Sequence, residues 1–242
     1  MTRLKPSKPR VFCIGWHKTG TTTIGLALIK LGYSVLGCRL DMVHPLRRGE
    51  IHKAIEVAGQ FDAVQDVPWA CLFKELDKRY PNSKFVITIR EEEDWLRSAR
   101  RHFGSTEIPL HQWIYGQGKL IGNEERYLER FRMHHDQVKD YFADRQNDLL
   151  IMNLQQGDQW EKLCEFLGID APRHEFPHEN KSPMKLNLKE RLVNSLKKSV
   201  PMIFRSYIFS FRLQVRKSLG KSDPRNRFHN FRENKLERDF WE

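Results

Sequence analysis

The stretch Val11 to Thr23, VFCIGWHKTGTTT, decides the fold that we expect for this chain. Its short apolar run breaks at Gly15, and a helical pattern begins after Gly20. A strand that turns through glycine into a helix leaves unpaired backbone N–H groups and the positive end of the helix dipole facing one point. Because Lys18 lies beside that point, the stretch predicts a phosphate-binding loop.

The glycine spacing nearly fits the nucleotide-triphosphate loop G-x-x-x-x-G-K-[ST], but the lysine is displaced. A threonine stands at the lysine position, and the lysine lies three residues earlier. A turn that only caps a helix is the alternative interpretation, and the strand before it and the apolar helix after it favour phosphate binding. The predicted phosphate ligands are Lys18, Thr19, Gly20, Thr21 and Thr22.

Apolar runs of strand length alternate with helical patterns along the chain. Strands are predicted at 10–15, 34–37, 63–65, 84–90 and 149–153. Helices are predicted near 20–31, 49–59, 69–79, 91–103, 123–144 and 158–167. Near-continuous apolar strands that alternate with helices are typical of buried parallel sheets. We therefore expect an α/β fold, a three-layer doubly wound parallel sheet with a P-loop-like phosphate site.

Ligands of such sheets bind beyond the carboxyl ends of the strands, where the loop, Asp66 and Arg90 all fall. A nucleotide triphosphatase usually has an acidic residue in the position of Arg90, which helps to hold Mg²⁺. An arginine suits an additional anionic group on the ligand instead, and Ser98, two turns into the next helix, adds a hydroxyl donor. The acids at 91–94 favour a helix N-terminus rather than a metal site.

The net charge of +11 is unevenly distributed over the 242 residues. Residues 184–242 hold 15 basic and 6 acidic side chains, whereas residues 1–183 are nearly balanced. We therefore expect an α/β domain at 8–183 and a basic helical extension at 184–242. An amphipathic pattern at 199–219 predicts a helix that packs on the domain or meets an anionic membrane surface, and nucleic acid is not the expected partner.

The four cysteines, Cys13, Cys38, Cys71 and Cys164, are far apart and form no C-x-x-C pair. This spacing favours free thiols over a disulfide framework or a zinc site. The basic N-terminus lacks an apolar signal region, and no run of 18 apolar residues exists. We expect a soluble, cytoplasmic protein.

Three motifs of this sequence resemble those of the PAPS-dependent sulfotransferases, where PAPS is 3′-phosphoadenosine 5′-phosphosulfate. They are IGWHKTGTTT at 14–23, PNSKFVITIREEEDWLRSARRHF at 81–103, and DQWEKLCEFLG at 158–168 with FPHENK at 176–181. In the family, the first grips the 5′-phosphosulfate, the second grips the 3′-phosphate through an arginine and a serine that match Arg90 and Ser98, and the third forms a closing helix and loop. The resemblance covers residues 8–182.

The resemblance implies that PAPS is the co-substrate and that no metal is required. A hydroxyl or amine of a carbohydrate or small-molecule acceptor attacks the sulfur in line. Lys18 and the amides at 20–22 then stabilise the charge that develops on the departing nucleotide. The acceptor itself is not identified by the sequence, because acceptor pockets come from variable loops such as 104–122.

The sequence departs from the family pattern at two points. Cytosolic members often have a tryptophan at the position of Thr23 to stack on adenine, and no histidine here aligns with their catalytic base. Three residues remain as candidates for the proton acceptor: Asp66, His17 and His44. The predicted catalytic residues are Lys18, Asp66 and His17.

Two other classes of function remain as alternatives. A P-loop kinase or phosphotransferase lacks support, because the lysine after the glycine and the acidic strand end are both missing. A non-enzymatic nucleic-acid or membrane-surface binder accounts for the basic extension but gives the loop, Arg90 and Ser98 no role. Mg²⁺ dependence distinguishes the kinase, and salt-dependent nucleic-acid binding without nucleotide affinity distinguishes the binder.

Overall fold

A computed structural model describes residues 8–177 of the chain. Five strands form one parallel sheet, flanked by helices, in the order β2-β3-β1-β4-β5. The strands are β1 Val11–Cys13, β2 Val35–Leu36, β3 Ala63–Gln65, β4 Lys84–Thr88 and β5 Leu149–Met152. The helices are α1 Thr21–Lys30, α2 Val43–Arg47, α3 Ile51–Ala58, α4 Phe73–Arg79, α5 Glu92–Phe103, α6 Pro109–Tyr115, α7 Glu124–Tyr141 and α8 Trp160–Leu167. The expected doubly wound α/β fold is confirmed.

The central strand β1 explains why this sheet forms. Val11 and Phe12 have no exposed surface, and Val11 aligns with Ala63 of β3 on one side and Lys84 of β4 on the other. A strand that is covered on both faces is stabilised by apolar side chains along its whole length. The loop after β1 therefore begins at the centre of the sheet, where strands have been added on both sides.

Helix α5 shows how the flanking layer attaches. Its first turn is acidic and its last turn is basic, which complements the helix dipole. Trp95, Ala99 and Phe103 recur at helical spacing and are buried, so one face of α5 packs on the core and the opposite face carries charge. This attachment fixes the position of the remaining side chains of α5 at the carboxyl edge of the sheet.

The structure departs from the sequence expectations in the connections. Residues 104–122, expected to be loops, contain α6, which begins with Pro109 at its first turn. The short helix α2 was not predicted either, because its five residues include Pro45 and span hardly more than one turn. The predicted helix at 69–79 is divided into a 3₁₀ turn at Trp69–Leu72 and α4.

Several expectations concern residues beyond 177. The extension at 184–242, its amphipathic pattern at 199–219 and its membrane-surface role lie outside the described residues. Within residues 8–177, no helix is both long and apolar enough to span a bilayer. All four cysteines of the chain lie in this part and are free thiols.

Candidate functional site

The loop between β1 and α1 is held against β4 by close backbone contact. A Cβ on Gly15 would lie 2.0 Å from Oγ1 of Thr88, so only glycine permits this approach. Thr19 fixes the loop from inside: its hydroxyl donates to the Trp16 carbonyl at 2.6 Å and lies 2.5 Å from the Thr88 hydroxyl. The predicted ligand Thr19 is therefore a buried residue that shapes the loop.

The start of α1 presents the donors that the sequence predicts. Gly20 precedes the helix with φ 112°, a left-handed conformation that glycine adopts without strain. The amides of Thr23 and Ile24 donate to the Gly20 carbonyl. The amides of Thr21 and Thr22 have no acceptor among residues 8–177. These N–H groups and the helix dipole are the arrangement that suits an anion.

Asp66 lies beside the loop, although the two are far apart in sequence. Its Oδ2 accepts a hydrogen bond from the Thr21 hydroxyl at 3.0 Å, and its Oδ1 accepts one from the Val67 amide at 2.7 Å. Both Asp66 and Lys18 have left-handed backbones, with φ of 74° and 67°. Such conformations are rare outside glycine and often lie at functional sites.

Lys18 lies in the loop close to two other charged side chains, Asp66 and Arg90. Burial lowers the pKa of its ammonium group, the Asp66 carboxylate opposes this shift, and Arg90 adds to it. Asp66 and Arg90, which follow two other strands, thus both lie within electrostatic range of Lys18. The structure brings together Lys18, Asp66 and Arg90, as the topology predicted.

Arg90 connects the two predicted phosphate-binding elements. Its Nη1 donates to the Lys18 carbonyl at 3.0 Å, while its Nε is buried without a hydrogen-bond partner among residues 8–177. Burial lowers the pKa of Arg90, and the nearby charges of Arg97 and Arg101 lower it further. A buried guanidinium nitrogen without an acceptor favours an anion from a ligand.

Ser98 lies within α5 and is half-buried. It stands between Arg97 and Arg101 on the helix surface, and one turn after Trp95, whose indole N–H donates to the His17 carbonyl at 2.8 Å. The Ser98 hydroxyl is half-buried and makes no hydrogen bond to residues 8–177. Its predicted role beside Arg90 is therefore a proposal that binding experiments must test.

His17 lies in an aromatic cluster formed with Trp16, Trp95, His111 and Tyr115. The Trp16 indole donates to the Tyr115 hydroxyl at 2.8 Å, which leaves the Tyr115 O–H to donate to Nε2 of His17. Burial lowers the pKa of His17 well below its ordinary value, and His111 and Lys18 add to the shift. A neutral, enclosed imidazole is a weak candidate for a proton acceptor.

The other candidate base, His44, is exposed on α2. The Asp66 carboxylate accepts a hydrogen bond from the Thr21 hydroxyl of the phosphate loop, whereas the His17 ring is enclosed in the aromatic cluster.

Several residues around the site were not predicted from the sequence. Tyr115 and Trp95 hold the loop from α6 and α5. Burial lowers the pKa of His102, and the positive charge of Lys18 lowers it further. His102 therefore lies within electrostatic range of Lys18. Trp95 was detectable as an apolar residue three positions before Ser98, whereas no local signal links Tyr115 to the loop.

Comparisons with known proteins agree with this geometry. A family model described as a sulfotransferase domain matches residues 10–117 and 109–184. These matches span more than half of the chain, so the chain belongs to the sulfotransferase domain family. The resemblance found in the sequence is thereby confirmed.

A curated relative also matches. The Ava biosynthesis cluster protein M of Aspergillus versicolor is 29% identical over 150 residues, which cover 51% of this chain and 55% of that protein. The chain thus spans about half the length of the curated relative that it matches.

Proposed function

We propose that this protein transfers a sulfuryl group from PAPS to a hydroxyl or amine of a carbohydrate or small-molecule acceptor. The observation that carries the proposal is Arg90, whose Nη1 holds the Lys18 carbonyl while its buried Nε lacks an acceptor among residues 8–177. One arginine thus joins the two elements that the family uses for the two anionic ends of PAPS.

The donor set fits such a ligand at both ends. Arg90 and Ser98 would hold the 3′-phosphate, since a guanidinium and a hydroxyl are strong donors to phosphate oxygens. Lys18 and the amides of Thr21 and Thr22 would hold the 5′-phosphosulfate. PAPS supplies, when bound, an activated sulfuryl group.

The residues around the loop stabilise negative charge without having to reorganise. The Lys18 backbone is fixed by Arg90, and the helix start is fixed by the contact of Thr21 with Asp66. Donors that are already oriented toward developing charge contribute more to rate than donors that must move into place. Lys18 and the amides at 20–22 are therefore the proposed electrostatic clamp.

Asp66 is the proposed proton acceptor for the attacking hydroxyl or amine. The carboxylate of Asp66 lies at the loop, where it accepts hydrogen bonds from the Thr21 hydroxyl and the Val67 amide, and an ionised carboxylate takes a proton from a hydroxyl or amine placed beside it. We assign His17 a positioning role, because its carbonyl is held by Trp95 and its Nε2 by Tyr115.

Binding calorimetry with adenosine 3′,5′-bisphosphate, ATP and GTP tests the class of protein. We expect tightest binding of the bisphosphate, with no requirement for Mg²⁺, and transfer of labelled sulfate from PAPS to an acceptor panel. Preferential, Mg²⁺-dependent binding of ATP or GTP would instead indicate a kinase and overturn the proposal.

A further inference from the structure

A second arginine at this edge of the sheet has no role in the proposed chemistry. Arg130 lies on α7, and its Nη1 is buried without a hydrogen-bond partner among residues 8–177. Within the same residues it forms no ion pair. By contrast, Arg132, two positions later on α7, forms ion pairs with Glu92 and Glu125.

The guanidinium of Arg130 lies over the ring of Trp16, 5.2 Å from the ring centroid. A ring face attracts a cation but supplies neither an opposite charge nor an in-plane hydrogen-bond acceptor. The contact therefore orients Arg130 and leaves its buried Nη1 without a hydrogen-bond acceptor among residues 8–177. Desolvated cations in proteins are normally paired, so an anion from outside the described chain would complete this site.

Arg130 lies near the side of the loop where we expect the acceptor to bind. Trp16 precedes the loop lysine by two residues, and its indole is fixed by Tyr115 at 2.8 Å. Cys71 lies in the 3₁₀ turn that follows Asp66, and both Arg130 and Asp66 affect its thiol. Burial raises the pKa of Cys71 to about 12, Arg130 opposes this shift and Asp66 adds to it, so both charges lie within range of one thiol.

Arg130 thus lies against Trp16, and Trp16 contacts Tyr115 of α6, in the segment 104–122 from which we expect the acceptor pocket. The anion sites assigned to PAPS lie at Arg90 and Lys18, and neither of these residues contacts Arg130. A ligand group at Arg130 would thus belong to the acceptor rather than to the nucleotide.

We propose that Arg130 binds a carboxylate or a similar oxyanion of the acceptor, so that the preferred acceptors are acidic hydroxy or amino compounds. The planar fork of an arginine suits bidentate binding of a carboxylate, and the contact with Trp16 limits where the guanidinium can lie. This inference rests on the proposed function and specifies the class of its acceptor.

The test compares matched acceptors in the full-length protein. The probes are the three isomers of hydroxybenzoate, each paired with the methylphenol of the same geometry, in the presence of adenosine 3′,5′-bisphosphate for binding or PAPS for turnover. We expect at least one hydroxybenzoate to exceed its methylphenol partner about 30-fold or more in affinity or kcat/KM. Arg130→Met should remove this preference, and Arg130→Lys should retain part of it.

Arg132→Met, from the same helix, is the matched control and should keep the preference. The inference is overturned if no hydroxybenzoate is preferred by the natural protein, or if the preference persists in Arg130→Met. It is also overturned if Arg130→Met weakens the bisphosphate as strongly as the hydroxybenzoate, which would assign Arg130 to the nucleotide site. Hydroxybenzoate binding is measured without nucleotide as well, so a failure to bind the bisphosphate would count against the proposed function alone.

Discussion

The arginines at the carboxyl edge of the sheet differ from those on the outer helical surface. Arg90 and Arg130 each have a buried guanidinium nitrogen without an acceptor among residues 8–177. Arg132 and Arg145 are part-exposed and pair with two carboxylates each. Carboxylates of the protein neutralise Arg132 and Arg145, whereas we propose that a ligand neutralises Arg90 and Arg130.

The energies of the two regions differ accordingly. Exposed ion pairs contribute about 0.2–1 kcal/mol, because water and salt screen them. Loss of one partner from a desolvated charge pair costs about 2–5 kcal/mol. Substitutions at the edge should therefore impair ligand binding or turnover, while matched substitutions on the outer surface should change stability slightly or not at all.

The largest expected effect is on turnover, from Asp66→Asn. If Asp66 accepts the proton, this substitution keeps nucleotide affinity within a few-fold and lowers kcat by about 10²–10⁴. Asp77→Asn is the matched control, since Asp77 is bound by Arg145 and Tyr141 away from the loop. It should lower the melting temperature and leave kcat unchanged, as steady-state kinetics and thermal unfolding will measure.

The same assay decides between the candidate bases. His17→Asn should alter the loop without abolishing turnover, and His44→Ala should be nearly silent. An inactive His44 or His17 variant together with an active Asp66→Asn variant would show that the proton goes elsewhere.

Lys18→Ala should lower the rate of sulfuryl transfer by about 10²–10³, the usual cost of losing one oriented donor to developing charge. The fold should remain intact, because the Lys18 side chain contributes little to the core. Lys162→Ala removes a surface lysine that pairs with Asp158 and serves as the control. Near-normal single-turnover rates in Lys18→Ala would remove the loop lysine from the mechanism.

A smaller effect concerns stability against pH. Burial lowers the pKa of His111 to about 4 and that of His134 to about 3, from an ordinary 6.5. Between pH 6.5 and about 4 the unfolded chain binds protons that the folded chain does not. The free energy of unfolding should therefore fall with decreasing pH, by about 1.4 kcal/mol per pH unit for each histidine.

Urea unfolding at several pH values measures this slope. His111→Gln should flatten it, and His52→Gln, which changes an exposed histidine of α3, should follow the natural protein. Equal slopes for all three proteins would mean that burial does not keep His111 neutral in the folded protein.

The fold was predictable because its signals are local. Strand 63–65 was predicted at its observed bounds, and the order of strands and helices follows from apolar periodicity. The proximity of Arg90 and Asp66 to Lys18 was predictable because the topology of a parallel sheet brings strand ends together. The contacts of Tyr115 with His17 and of Arg130 with Trp16 were not predictable, because each joins positions about a hundred residues apart.

Arg90→Ala provides the most direct test of the central claim that the unpaired cations at this edge of the sheet bind anionic groups of the ligand. Calorimetry compares adenosine 3′,5′-bisphosphate with adenosine 5′-monophosphate, which lacks the 3′ group, in the natural protein, Arg90→Ala and Arg132→Ala. We predict that Arg90→Ala weakens the bisphosphate about 30-fold to several-thousand-fold and the monophosphate far less, while Arg132→Ala changes neither. Equal losses for the two nucleotides in Arg90→Ala would contradict the account, because they would show that Arg90 supports the loop rather than the 3′-phosphate.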